Sequence, residues 1–356
     1  MDWRNLPVDL QKEILSRVPA TSLARLRSTS KQWNALLKSA NIHSTNAPKE
    51  SLIIMLEYFR VCLVRANYLH ELDINIAPSV NVTSQFYLED PQFKSSQVDI
   101  RKVFHCDGLL LCSTEDDRLV VCNPCSGETK WIKPRNNYTN SDFYALGYVN
   151  KSSCKKYKVL RVDHQGHSRG INNEYEIYDF TTDSWRVLGP KTDWYLPLSH
   201  CGVSVKGNTY WIALHRGTPY HEFLLSFDYS TERFGMQPLP HQFHCVAKVL
   251  SVVREDQLCL CVTNSTGLHV WVTTISTKSV MSWKRLFEVN ASHNKDYDFS
   301  NGVSLLANEQ NKLVLCCNNY IYVYPDGGNV TCKLPCSHLL NYVPSLAHIQ
   351  QGTRDL

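Results

Sequence analysis

Residues 175–188 read YEIYDFTTDSWRVL, and the same grammar returns at 119–132 (LVVCNPCSGETKWI) and 223–239 (FLLSFDYSTERFGMQPL). Each unit is an apolar strand ending on Asn or Asp, a tight turn with Ser or Thr, and a return strand that carries an aromatic ring. The anchors Asn123, Asp179 and Asp228 lie 56 and 49 residues apart, and looser copies occupy 268–286 and 320–334. An Asn or Asp at a strand end bonds its own backbone and starts a turn. Trp131, Trp185, Phe234 and Trp283 then offer large flat surfaces to a neighbouring sheet. Further hairpins lie between, at GVSVKGNTYWIAL (202–214) and VLSVVREDQLCLCV (249–262). Two hairpins per roughly fifty residues make a four-stranded propeller blade.

Residues 47–356 number 310, which at about fifty per blade gives about six blades. LIIMLEYFRVCLVRANYLHEL (52–72) starts the blade that the five visible repeats leave over. The strand-like YVPSLAHI (342–349) is placed to close the ring against the first blade, which removes an exposed edge. A two-sheet β sandwich is the alternative, but it does not require similar units at near-regular spacing.

Residues 6–38 have a different period. Leu6, Leu10, Ile14 and Val18 recur every four residues with Leu15 alongside, a helical stripe. Pro7 suits the first turn of that helix and Pro19 ends it. A second helix starts with Thr21 or Ser22 as N-cap and puts Leu23 and Leu26 on one side. STSKQWNALL forms a third, carrying Trp33, Leu36 and Leu37. Three short helices in about forty residues are marginal alone, so their stripes need something to cover them. The chain thus divides into a helical unit, 1–46, and a mainly β unit, 47–356.

Charge is unevenly spread. Lys plus Arg minus Asp plus Glu is 37 − 33 = +4, and residues 1–40 hold 7 − 3 = +4 of it, leaving the remainder at 30 − 30 = 0. A neutral body argues against nucleic-acid binding, and a basic appendage suits an acidic protein partner. Asp2, Arg4 and Asp9 interrupt any signal peptide, and no run is long enough to span a bilayer. The expected location is nucleus and/or cytoplasm, where the 14 cysteines stay reduced and act as small hydrophobes. The six Asn-x-Ser/Thr sequons, at Asn81, Asn137, Asn150, Asn264, Asn290 and Asn329, are expected to be unmodified there.

Catalytic and metal chemistry finds little support. Cys122-Asn-Pro-Cys125 lacks a second pair at ligand spacing, and Cys332, Cys336 and His338 are a poor substitute. Asp163, His164 and His167 have no further ligand near in sequence. Neither a nucleophile elbow nor a phosphate-binding glycine loop occurs. Cys201 and Cys245 neighbour His200 and His244, yet adjacent residues on a strand point to opposite faces. No metal, cofactor or catalytic role is expected; a propeller-bodied hydrolase would need convergent carboxylates or histidines in the central channel.

The stretch LPVDLQKEILSRVPATSLARLRSTSKQWNALL (6–37) resembles the F-box motif over its whole length. The match rests on Leu6, Pro7 and Asp9, the Ile14-Leu15 pair, the Pro19 break, SLARLR, and Lys31 with Trp33. Thr29-Ser30 stands where many F-boxes have Val-Cys, which weakens local packing but not the docking stripe. The body resembles the F-box-associated, kelch-like domain of large plant families, through CDGLLLC (106–112), ALGYVNKSSCKKYKVLRV (145–162), the repeats quoted above and YVPSL (342–346). Together these cover nearly the entire chain.

The resemblance implies an adaptor in an SCF-type ubiquitin ligase. The F-box grips a Skp-type linker and, through it, a cullin, while the other domain holds an unidentified protein substrate. The residues it assigns to the linker are Leu6, Pro7, Leu10, Ile14, Leu15, Val18, Leu23, Leu26 and Trp33, shared between the fold and the partner. An F-box protein that binds the linker without ubiquitylation is the second reading.

Turns within hairpins are short, whereas the connections at 133–142, 163–174, 189–199, 215–222 and 290–301 are long. All five join blades or join strands two and three of a blade, so they collect on one face. Long loops on a rigid scaffold carry function, and aromatic and Arg side chains make good anchors. The expected substrate residues are Tyr138, Arg169, Trp194, Tyr195, Arg216, Tyr220 and Tyr297.

Overall fold

The structure, a computed structural model, describes residues 6–39, 52–66, 80–91, 97–133, 142–151, 154–163, 174–189, 193–197, 201–217, 221–241, 247–253, 256–264, 266–275, 281–290, 303–307, 313–317, 320–324, 332–333 and 338–350. Three helices open the chain, α1 (Val8–Ser16), α2 (Ala20–Thr29) and α3 (Lys31–Ser39). Pro7 and Pro19 each sit at an N-cap with φ near −50° and ψ near 145°, so the rigid rings aim the chain into α1 and α2. Thr21 and Ser22 therefore lie inside the first turn of α2 and do not cap it, and Pro19 begins α2, since α1 has already ended at Ser16. The cap that forms is at α3, where Ser30 Oγ accepts the Trp33 N–H at 3.1 Å. Ser30 thus gives α3 its start at one of the two positions where the chain departs from the F-box pattern.

The rest is strand. The first run is β1 (Leu52–Glu57), β2 (Arg60–Ala66) and β3 (Val80–Phe86). Next come β4 (Ile100–Cys106), β5 (Leu109–Thr114), β6 (Leu119–Asn123) and β7 (Glu128–Ile132), then β8 (Phe143–Lys151), β9 (Cys154–Val162), β10 (Tyr175–Asp179) and β11 (Ser184–Val187). The third group is β12 (Trp194–Tyr195), β13 (Val203–Val205), β14 (Asn208–His215), β15 (Glu222–Asp228) and β16 (Arg233–Pro238). Then follow β17 (Ala247–Val253), β18 (Gln257–Asn264), β19 (Gly267–Ile275) and β20 (Met281–Asn290), and β21 (Val303–Ala307), β22 (Leu313–Cys317), β23 (Tyr320–Tyr324) and β24 (Cys332–Lys333). The last is β25 (His338–Tyr342).

Among the described residues these make six antiparallel sheets, five of four strands and one of five. They are the blades of a β-propeller, numbered I to VI from β1. Blade I has the order β25-β1-β2-β3, so the end of the chain supplies its inner strand. The closing strand is HLLNY, Leu56 pairing with His338 and Leu52 with Tyr342. Of the expected YVPSLAHI only Tyr342 joins the ladder; Pro344 denies it a donor, and 343–350 continue without regular pairing.

The repeat does what its residues dictate. Asn123, Asp179 and Asp228 accept backbone N–H bonds from Cys125 (2.9 Å), Thr181 (2.8 Å) and Ser230 (2.7 Å). The return aromatics reach the preceding blade. Trp185 Nε1 donates to Lys133 O at 3.0 Å, Trp283 Nε1 to Pro238 O at 3.3 Å, and Phe234 packs on Tyr175 of blade III. Core clusters lie between adjacent sheets, the largest spanning blades II to IV. Ion pairs cross the same seams: Lys155–Asp107 (2.7 Å), Lys130–Asp183 (2.9 Å) and Lys158–Glu232 (2.6 Å).

Up-and-down order fixes which ends of the strands face which way. Turns between strands one and two, and three and four, share the lower face; the other connections share the upper face. All five long connections leave upper strand ends, from β7 to β8, β9 to β10, β11 to β13, β14 to β15 and β20 to β21.

Candidate docking surfaces

The helical unit has a core of its own, Leu15, Leu23 and Leu37, with Val18, Leu26, Trp33 and Leu36 packed against it. Leu15 is 2% exposed and Leu23 0%. Sealed inside, these two hold the helices together, which is the fold's part of the shared role that the resemblance implies. Val18, Leu26 and Trp33 are half-buried at the edge of that core. The other side of α1 is open. Leu10 is 46% exposed and Ile14 44%, and Pro7, three residues before Leu10, is exposed as well. Spacings of three and four put Pro7, Leu10 and Ile14 on one helix face. Leu6 is half-buried, and Gln11 Nε2 donates to its carbonyl at 2.8 Å, which anchors the approach to the helix. One apolar stripe in sequence thus becomes two, one turned inward and one left to solvent.

The expected upper-face residues separate more sharply. Trp194 is 1% exposed and stacks edge-on to Phe234 at 4.9 Å. It is a core residue: β12 pairs with the upper end of β14 (Trp194 opposite His215) and turns the indole inward. Tyr195 beside it is half-buried. Arg216 is half-buried too, its N–H donated to Asp193 O at 2.7 Å. Tyr138, Arg169, Tyr220 and Tyr297 lie outside the described residues.

Another upper-face group was missed. Tyr58 and Phe59 form the two-residue turn between β1 and β2 and are 75% and 51% exposed. Both have positive φ, 45° and 64°, a conformation that Asn-Gly adopts without strain and aromatic residues adopt at a cost. Exposed Tyr87 follows β3, whose Phe86 pairs with Val61, and so sits on the same rim. Phe59 O accepts the Ile100 N–H at 2.8 Å, joining this rim to blade II. The apolar run 52–72 hid the turn because no glycine marks it.

Among the described residues no group of three or more His, Cys, Asp or Glu is placed to hold a metal ion, and no helix is long and apolar enough to cross a membrane. Cys122 is buried in β6 and Cys125 half-buried in its turn. Cys106 lies near Ser204, and burial pushes its thiol up to about 12, far from a nucleophile's range.

The described residues thus form a three-helix unit with one apolar helix face left to solvent, followed by a β-propeller of six sheets. Comparison with known families gives it a name. Residues 3–45 match the F-box domain and residues 52–349 the F-box associated beta propeller domain. The chain belongs to the F-box family with an F-box-associated propeller. A relative from Arabidopsis thaliana, named as an F-box protein, is 52% identical over 98% of this chain and 100% of its own length. Another from the same plant, named as an F-box/kelch-repeat protein, is 40% identical over 99% of this chain and 98% of its own. Among solved structures, YCF48 from Cyanidioschyzon merolae aligns over 81% of this chain and 86% of its own, with 12% identity and a TM-score of 0.36, too slight a likeness to carry an argument.

Proposed function

We propose that the protein is the substrate-recognition subunit of an SCF-type ubiquitin ligase. Its F-box docks a Skp-type linker and through it a cullin, and its propeller holds the protein to be ubiquitylated. On this reading it has no catalytic step of its own and works in the nucleus and/or cytoplasm. The observation that carries the reading is the exposure of Leu10 and Ile14 on a helix whose opposite side packs Leu15 into the helical core. Pro7, Leu10 and Ile14 together leave a contiguous apolar strip in water, the kind of patch that a partner covers. The basic charge of residues 1–40 suits an acidic linker.

Finishing the burial of Leu10 and Ile14 is worth about 1 kcal/mol each. The L10A/I14A double variant is therefore expected to bind a Skp-type linker about thirtyfold more weakly, with the propeller's melting transition unchanged. Leu6 and Pro7 belong to the same surface, and L6A/P7A is expected to weaken capture in the same way. Undiminished binding by both variants in calorimetry would place the linker elsewhere. The upper face is the substrate side on this reading, and its anchors are Tyr58, Phe59 and Tyr87 rather than Trp194. Y58A/F59A is expected to lose substrate in affinity capture under proteasome inhibition while keeping the linker.

A further inference from the structure

Beyond β25, residues 343–350 run under blades II and III along the lower face, held there by a row of hydrogen bonds. Ser345 Oγ donates to Asp107 O at 2.6 Å. Asn123 Nδ2 donates to Ser345 O (3.0 Å) and to Ala347 O (2.8 Å). Ile349 is buried in the largest core cluster, its N–H donated to Glu128 Oε2 at 3.2 Å, and Gln350 Nε2 donates to Lys155 O at 3.1 Å. Ser345, Ala347, His348 (Nδ1 on Glu128 Oε2 at 2.8 Å) and Ile349 contact the propeller, whereas Leu346 packs against the helical core formed by Leu15, Leu23 and Leu37. A single eight-residue segment therefore touches both units, the helices through Leu346 and the propeller through its neighbours.

We infer that residues 343–350 are a clamp that fixes the F-box to the lower face of the propeller, with Leu346 as the positioning residue. The segment is itself held by hydrogen bonds that a mobile tail would not keep, so the helices dock on a rigid rail. Its consequence rests on the adaptor reading: linker and cullin would leave from the lower side while substrate sits on the upper side, at a set separation. Loss of the clamp would leave both bindings intact and blur the distance between them.

The test uses the full chain without a linker. In L346D, amide hydrogen exchange across α1 to α3 is expected to speed up about tenfold or more, while β5, β6 and β14 stay protected. The solution radius of gyration rises, and L346M restores both values. Should L346D unfold the propeller as well, L346A, which introduces no charge, decides the matter by the same measurement. Helices that exchange as slowly in L346A as in the wild type would overturn the clamp. Linker capture by the wild-type chain is scored separately, so a failed adaptor reading leaves this result standing, and the reverse.

Discussion

Single residues on the lower face carry more than their size suggests. Gly108 sits at φ +77°, and a Cβ there would lie 2.2 Å from Ser345 Oγ and 2.9 Å from the Ser345 nitrogen. Gly108→Ala meets both a disfavoured conformation and a backbone atom, and is expected to cost about 2–3 kcal/mol in urea unfolding. His105 accepts the Gly108 N–H through Nε2 at 3.0 Å and packs edge-on to Tyr342. Burial lowers its pKa to about 4, with Asp107 opposing. The unfolded chain takes up that proton near pH 6.5, so the folded form is fully favoured above about 6.5 and loses up to about 3 kcal/mol as pH falls to about 4. His105→Gln keeps an acceptor but cannot titrate, and a smaller loss of stability between pH 7 and 4.5 than in the wild type is the expected result. On the upper face, Trp194→Ala is expected to cost about 3–5 kcal/mol, whereas the sequence expectation gave it a binding role.

Elements show what was legible and what was not. The hairpins could be read because their signal is local: Asn123, Asp179 and Asp228 bond residues two places away, and the aromatic partner follows on the return strand of the same hairpin. The helices were legible as a stripe, but a stripe records burial without saying by what. Leu15 and Ile14 are sequence neighbours with opposite fates, and only the placement of α2 and α3 divides them. Leu15→Ala is expected to destabilise the helical unit by about 2–5 kcal/mol, while Leu10→Ala leaves its melting almost unchanged; calorimetry on the full chain separates the two. Trp194 was misread because a two-residue strand pairing with β14 leaves no periodic trace. The Tyr58-Phe59 turn was invisible for a related reason, as its conformation normally advertises itself through Asn and Gly. Replacing the pair with Asn-Gly is expected to stabilise the protein by about 1–2 kcal/mol and, on the substrate reading, to reduce capture.

At the scale of the whole molecule the fold is a ring whose two ends meet in one sheet. The repeat spacing made the ring legible, and the need to hide an edge located the closure near the terminus. The clamp was not legible, since Leu346 gains its meaning from helices more than three hundred residues away in sequence. Ending the chain after residue 337 removes β25 and the clamp together. The shortened protein is expected to lose its cooperative thermal transition, measured by circular dichroism, and to aggregate through the bare side of β1. The same closure sets a schedule for synthesis. β1 ends at Glu57 and its partner begins at His338, so some 280 residues must leave the ribosome before the two can pair, about 15–55 s at ordinary elongation rates. Throughout that interval an apolar strand, LIIMLE, lacks its inward neighbour, an edge open to mispairing until β25 has been made.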